Sequence, residues 1–180
     1  MQKFLTSALA ASVLLAGLAT SLQAQRQRVS PRETVSASIG GKKVTIEYSR
    51  PSVKGRNVWD PSGNLAPFGK VWRTGADEAT TLTTEGDLML GSFHVPAGTY
   101  SLFTIPGESE WTLILNKTAK QWGAFKYDAN QDLGRVKMKA AAQPSSTEQF
   151  TIELNATGGS NGVLKLTWDK LSASIPVMMH

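Results

Sequence analysis

The sequence contains no cysteine. This absence excludes disulfide bridges, a thiol nucleophile, cysteine metal ligands and the lipid-modified cysteine of a lipoprotein. Histidine is almost absent too, since His94 and His180 are the two in the chain. His94 stands between Phe93 and Val95, and strand alternation predicts that it faces solvent. A three-ligand metal site would need distant carboxylates, and nothing in the sequence indicates a metal or another cofactor.

Motifs of the common enzyme classes are missing as well. No Gly-x-Ser-x-Gly segment is present to form a nucleophile elbow. The segment 68–71 resembles a phosphate loop only in part, because Val71 stands where Ser or Thr is required and Asn64 where the first Gly is required. No strand–helix–strand pattern is present to carry a dinucleotide site. We therefore favour a binding domain over an enzyme.

Long hydrophobic runs are confined to the N-terminus. Lys3 is followed by an apolar stretch over 4–18 and by small residues up to Ala24, which is the pattern of a cleaved signal peptide at residues 1–24. Polar residues and a glycine interrupt the stretch, and a membrane span needs about 20 consecutive apolar residues. We predict one domain over 25–180, periplasmic or secreted, with no membrane insertion after cleavage.

The excess of positive charge is mild. The chain has 19 Lys and Arg against 14 Asp and Glu, a formal net charge of +5. This balance suits a small anionic ligand and does not indicate nucleic acid.

Short alternating runs bounded by Gly, Pro, Asn or Asp dominate the rest of the chain. Gly40 and Gly41 predict a two-residue hairpin turn between two such runs. We predict an all-β fold, an antiparallel β-sandwich, jelly-roll-like, with nine or ten strands. The predicted strands are 34–39, 43–48, 79–84, 88–90, 99–105, 110–116, 135–139, 149–155, 163–168 and 172–177.

The segments between these strands differ in character. The run 110–116 is apolar on both faces, which predicts a central strand. The segments 50–70 and 123–134 are long loops, where binding sites usually lie. The segments 140–147 and 155–162 are predicted to be plain surface connections.

Five distinctive motifs occur in the chain after the signal peptide. They are Tyr48–Arg56, Pro67–Thr80, Val95–Gly107, Glu110–Thr112 and Gln121–Ala124. Together they resemble an exported bacterial family catalogued as domain of unknown function 2911. The resemblance covers essentially the whole chain after the signal peptide, and it implies export and a compact β domain. It implies no catalytic residues, because no activity is assigned to the family.

The candidate ligand-binding residues are mostly Arg and Trp around the first long loop. Guanidinium groups bind carboxylate or phosphate, and an indole face stacks on a sugar ring or an aromatic ring. Together they suit a small anionic or carbohydrate ligand. The candidates are Arg50, Arg56, Trp59, Lys70, Trp72, Arg73, Glu78 and Trp122, with Lys54 near them in the sequence.

A structural interpretation of the same residues stays open. Trp59 and Trp72 would anchor the loop on the sheet, while the Arg groups pair with nearby acids. Trp122 fits the rim of a pocket and a buried loop anchor equally well. Trp111 and Trp168 lie in strongly alternating strands and are predicted to belong to the core.

Two alternatives to a binding function remain. One is a cell-envelope hydrolase that uses Asp77 or Glu78 with a neighbouring Arg. Adjacent residues on a strand point in opposite directions, so the two acids do not readily face one cleft. The other is a structural protein-interaction module, which would expose a contiguous apolar patch. The sequence does not indicate an oligomeric state.

Overall fold

The computed structural model describes residues 29–180, so the predicted signal peptide at 1–24 lies outside the described residues. The described chain is all-β, as predicted, with nine strands and one short 3₁₀ helix at Ala129–Gln131. No helix within 29–180 is long and apolar enough to cross a membrane. The strands are β1 (Arg32–Ile39), β2 (Lys42–Ser49), β3 (Thr80–Thr84), β4 (Leu88–Leu90), β5 (Phe93–Val95), β6 (Gly98–Ile105), β7 (Glu110–Asn116), β8 (Asp132–Gly158) and β9 (Asn161–Met179).

All nine strands join in one antiparallel sheet of order β1-β2-β3-β6-β7-β8-β9-β4-β5. The sheet curls around its own inner face. Three strands separate β2 from β8, yet the rings of Tyr48 and Phe150 pack 5.7 Å apart, and the Ile152 N–H donates to Tyr48 Oη at 2.9 Å. Opposite parts of the sheet therefore face each other across the core, as in a sandwich.

The first hairpin follows the sequence pattern. Gly40 and Gly41 both have positive φ, 56° and 76°, which a two-residue turn of this kind requires. Val44, Ile46 and Tyr48 of β2 are buried, while Glu47 lies on the exposed side. The predicted hairpin and its buried face are confirmed.

The last two strands are longer than predicted. The segments 135–139 and 149–155 belong to one strand, β8, and 163–168 and 172–177 belong to one strand, β9. The stretch 140–147, predicted to be a surface connection, begins by pairing with β9 and contains an irregularity in the register after Ala142. The alanines there carry too little apolar surface to produce an alternating pattern. The short strand β5 was not predicted either.

Tryptophan fills the centre of the core. Trp59, Trp72, Trp111 and Trp168 are all buried, and the rings of Trp72 and Trp168 stack 5.5 Å apart. The core positions predicted for Trp111 and Trp168 are confirmed. So is the central position of β7, which lies between β6 and β8.

A second, smaller apolar cluster lies on the other face of β6 and β7. Phe103 and Ile114 are fully buried there, with Val71 and Tyr127 packed against them. The rings of Phe103 and Tyr127 are 5.0 Å apart. This cluster fixes the loop after β7 on the outside of the sheet, next to the site described below.

Candidate functional site

A cleft of about 610 Å³ lies on the outer face of the sheet, across β1, β2, β3 and β6. Its position follows from strand register. Glu47 of β2 pairs with Thr81 of β3, and Thr83 pairs with Thr99 of β6. Because the neighbouring residues of these strands point into the core, these four side chains point outward together. The floor of the cleft is therefore a polar patch on a rigid sheet.

Arg32 lies between two carboxylates in this cleft. Its guanidinium is 3.4 Å from Glu47 Oε2 and 3.7 Å from Glu78 Oε2. The three side chains are 44%, 48% and 32% exposed, so all three reach solvent. Beside them the hydroxyl groups of Thr83 and Thr99 are 3.0 Å apart. The cleft thus offers charged donors, charged acceptors and hydroxyl groups over a short distance.

The turn that carries Glu78 has a strained backbone and is stabilised by buried hydrogen bonds. Thr74 and Asp77 have positive φ, 55° and 58°, and a β-branched residue such as Thr74 rarely adopts this conformation. The Thr74 hydroxyl is 3.0 Å from that of Thr104, and Thr80 Oγ1 donates to the Thr74 carbonyl at 2.6 Å. Trp72 Nε1 donates to the Gly75 carbonyl at 3.1 Å. These buried hydrogen bonds fix the turn and so position Glu78.

Trp122 forms the rim of the cleft. An isolated antiparallel bridge joins it to Glu78, and the Ala79 N–H donates to the Gln121 carbonyl at 3.0 Å. Its side chain is 59% exposed. Of the two interpretations of Trp122, the structure therefore favours the pocket rim over the buried anchor.

Gln121 lies beside Trp122 and carries an unsatisfied acceptor. Its Nε2 donates to the Thr118 carbonyl at 3.0 Å, while its Oε1 is shielded and has no hydrogen-bond partner among residues 29–180. A shielded polar atom without a partner costs free energy, and such atoms in native structures often meet a ligand or an ordered water.

A second groove, of about 360 Å³, adjoins the cleft at Trp122. It shares Lys120, Gln121 and Trp122 with the cleft and adds Phe125 and Lys126. Phe125 is 84% exposed, the most exposed large apolar side chain among residues 29–180.

Tyr127 anchors the loop that displays these residues. Its hydroxyl donates to Asp132 Oδ2 at 2.7 Å and accepts from Arg135 at 2.8 Å. Burial, with the Asp132 carboxylate next, raises the pKa of Tyr127 to about 12. Loop residues on both sides of this anchor are thereby tied to the start of β8.

The structure brings together two of the eight predicted site residues, Glu78 and Trp122. Arg50 is engaged with other groups: it donates to Glu33 Oε2 at 2.7 Å, to Thr151 Oγ1 at 2.8 Å and to the Phe150 carbonyl at 3.0 Å. These contacts fasten the end of β2 to β8. Arg50 therefore acts as a structural clamp.

The other five candidates lie apart from the cleft. Trp59 and Trp72 are in the core, as the structural interpretation held. Arg56 donates to the backbone carbonyls of Val53 and Ser52 within its own loop, at 3.0 and 2.6 Å, and Lys70 is exposed on the same loop.

Arg73 is half-buried beside the strained turn. Burial lowers its pKa, and the charge of Asp77 opposes that shift. Its Nε is shielded and has no hydrogen-bond partner within residues 29–180. The pairing of an Arg with Asp77 stays a prediction. Arg73 lines neither the cleft nor the second groove.

Sequence reasoning missed the residues of β1, β2, β3 and β6 that form the cleft floor. Strand alternation could have revealed this polar outer face, because Thr81 and Thr83 flank the buried Leu82 in β3. Nothing in the sequence indicated that Arg32 and Lys120 belong to this cleft, because only the fold places them beside Glu78.

The two histidines line a different groove, together with Lys42, Glu85 and Asp87. His94 is half-exposed and its Nε2 is 3.2 Å from Asp87 Oδ2, while the rings of His94 and His180 are 6.3 Å apart. The predicted exposure of His94 is confirmed. In the described part of the chain no group of three or more acidic or histidine side chains is placed to hold a metal ion.

Comparison with known proteins gives one match. A family model described as "Protein of unknown function (DUF2911)" matches residues 30–177. No curated protein and no solved structure is significantly similar to the chain.

Proposed function

We propose that this chain, which belongs to the DUF2911 family of proteins of unknown function, is a carbohydrate-binding domain whose ligand lies in the cleft beside Trp122. The observation that carries the proposal is the exposed indole of Trp122 at the rim of a polar cleft. An indole held in solvent at a loop tip does not contribute to the core. Its exposed apolar face is suited to cover the C–H face of a sugar ring.

The polar floor of the cleft supports the same ligand class. Sugar hydroxyl groups both donate and accept hydrogen bonds, so a site for them needs both kinds of partner. Glu47 and Glu78 supply acceptors, Arg32 and Lys120 supply donors, and the threonine hydroxyl groups supply both.

The balance of charge in the cleft argues against a simple anion site. Two cations face two carboxylates, and Arg32 already contacts both acids. A small anion would meet Glu47 and Glu78 at close range. A neutral polyhydroxylated ring meets no such repulsion.

Calorimetric titration with neutral hexasaccharides tests the proposal, using the cello-, xylo-, malto-, laminari- and chito-series. We expect one or more to bind, and Trp122→Ala to weaken that binding by about 2 kcal/mol, roughly thirtyfold, as for a central aromatic contact. Met178→Ala, at an exposed apolar residue elsewhere, is the matched control. The absence of binding to every series, or equal binding by the Trp122 variant, would refute the proposal.

Hydrolysis is the second candidate function, and one observation favours it. Two carboxylates, Glu47 and Glu78, approach the same guanidinium within one cleft. Glycoside hydrolases use two carboxyl groups on either side of the scissile bond. Asp77 or Glu78 was predicted for this role from the sequence. Asp77 does not line the cleft, so the two carboxylates available there are those of Glu47 and Glu78. Release of new reducing ends from the bound hexasaccharide, lost in Glu47→Gln and in Glu78→Gln, would establish this activity.

We propose further that the domain acts outside the cytoplasm, in the periplasm or secreted. The support is the signal-peptide pattern at residues 1–24. N-terminal sequencing of the protein recovered from separate cell fractions tests this. A mature N-terminus near residue 25 in an extracytoplasmic fraction is expected, and an intact Met1 in the cytoplasmic fraction would contradict it.

A further inference from the structure

We propose that the carbohydrate is acidic, and that it crosses Trp122 from the cleft into the second groove, where Lys120 and Lys126 bind its carboxylate or sulfate groups. This inference rests on the proposed carbohydrate function and adds the substrate class. It assigns a role to the second groove and to the two exposed lysines.

Continuity of the surface is the first support. The cleft and the second groove share Lys120, Gln121 and Trp122, so the indole stands on the boundary between them. A ligand seated against one side of Trp122 reaches the other groove with its next unit. Two adjacent grooves on one aromatic residue therefore fit an oligosaccharide better than a single sugar.

The two grooves differ in charge. The cleft contains Glu47 and Glu78 opposite Arg32 and Lys120, whereas the second groove is lined by Lys120 and Lys126 with no acidic side chain. Both lysines are exposed. An ammonium group on a flexible stem binds an anionic substituent as a point charge. The second groove is therefore electrostatically suited to a unit that carries a negative group.

The second groove also has an apolar wall. Phe125 is 84% exposed and stands on the same short loop as Trp122. Gly123 between them has φ +62°, and a Cβ built there would lie 3.0 Å from the Phe125 ring. The loop is tied down by the Gly123 N–H, which donates to the Asp77 carbonyl at 3.0 Å. An aromatic face in a groove lined by two lysines matches a sugar ring bearing an acidic group.

Two matched pairs of probes test the inference by calorimetric titration. The first pair is xylohexaose with a single terminal glucuronate unit and plain xylohexaose, and the second is laminarihexaose sulfated on one terminal unit and its unsulfated form, so that the neutral units occupy the cleft beside Glu47 and Glu78. In each pair the anionic member is expected to bind more tightly. The double variant Lys120→Ala/Lys126→Ala should weaken binding of the anionic member about tenfold, as expected for two exposed ion pairs, and leave the neutral member nearly unchanged.

Two controls accompany the test. Lys139→Ala/Lys170→Ala makes the same change in net charge at exposed lysines outside both grooves, and it should leave binding unaltered. Added salt should weaken binding of the anionic probes alone, because salt screens exposed charges.

The outcomes separate this inference from the function on which it rests. If both members of a pair bind equally, and Trp122→Ala weakens both, the carbohydrate function stands and the acidic preference is wrong. If neither pair nor any neutral hexasaccharide binds, the carbohydrate-binding function and the acidic preference are both wrong. A third outcome would also overturn the inference. The protein would sediment with phosphatidylglycerol vesicles, the Lys120/Lys126 variant would not, and no acidic probe would bind. This result would indicate that the lysines bind an anionic membrane surface.

Discussion

Glu78 and Trp122 face each other across an isolated antiparallel bridge, which joins the strained turn before β3 to the loop after β7. One backbone contact thus positions a carboxylate and an indole on the same cleft. The bridge is formed by main-chain groups, so it does not involve the carboxylate of Glu78 or the indole of Trp122. The relationship gives the candidate site a fixed geometry without burying its functional groups.

Removing the Glu78 charge should leave the fold nearly intact. Glu78 and Arg32 are 3.7 Å apart and both side chains reach solvent, so the pair contributes less than about 1 kcal/mol. Glu78→Gln is expected to lower Tm by less than about 4 °C and to weaken oligosaccharide binding, measured by thermal unfolding and calorimetry. Glu153→Gln, an exposed acid on β8, is the control. A large loss of stability would mean that Glu78 acts mainly as a structural residue.

The buried hydroxyl pair beneath the turn should matter far more for stability. Thr104→Val keeps the shape of the side chain and removes the closer partner of the Thr74 hydroxyl, which retains a longer contact of 3.4 Å to the Trp72 carbonyl. We expect a loss of about 1–3 kcal/mol in the free energy of unfolding, which is the typical cost of a buried group deprived of its partner. Urea denaturation measures it.

Thr83→Val is the matched control for that experiment. Its hydroxyl pairs with that of Thr99 at the same 3.0 Å, but on the exposed face of the sheet, where water replaces a lost partner. A change near zero is expected. Equal effects of the two substitutions would show that the hydrogen bonds under the turn do not hold it.

Alkaline pH should destabilise the domain through Tyr127. Its pKa in the folded protein is about 12, above the ordinary value of 10.0, chiefly because of burial. The neutral phenol thus stabilises the fold fully below pH 10, and this contribution is lost as pH rises toward 12. The difference in unfolding free energy between the parent and Tyr127→Phe should be constant below pH 10 and fall above it. A constant difference throughout would contradict the assignment.

Gly123 should be required for the display of Trp122 and Phe125. An alanine there must adopt φ near +62°, at a cost of about 1–2 kcal/mol, and its Cβ displaces the Phe125 ring. Gly123→Ala is expected to lower both stability and oligosaccharide affinity. Gly159→Ala has a similar φ and open space around its Cβ, so it should lower stability alone. Equal affinity in both variants would exclude a role for the loop conformation.

The sequence predicted the fold class well because most strands show a local pattern of their own. Alternation in β2 and the paired glycines before it are local features, and the structure confirms both. The failures occurred where local evidence is weak. β5 has three residues, too few to show a period, and the alanines at 140–142 pair with β9 without an apolar pattern of their own.

The candidate site was less predictable, because it depends on which strands are neighbours. Arg32 and Thr99 are distant in sequence and share a cleft only through the strand order β1-β2-β3-β6. Proximity in sequence also led to a wrong prediction, namely that neighbouring residues share one site. Trp72 stands beside Arg73, yet the indole lies in the core while the guanidinium does not. Trp122 is exposed, as a pocket-rim position requires, because it lies beside a loop with little else to bury it; its role in binding stays a prediction.

The placement of β9 between β8 and β4 has a consequence for the order of assembly during synthesis. Leu88 of β4 pairs with Met179 of β9, so β4 and β5 cannot join the sheet until β9 has emerged from the ribosome. The core is closed by the same strand, through Leu166 and Trp168. We therefore expect a nascent chain lacking β9 to remain open and sensitive to protease, and to become resistant only once β9 is available.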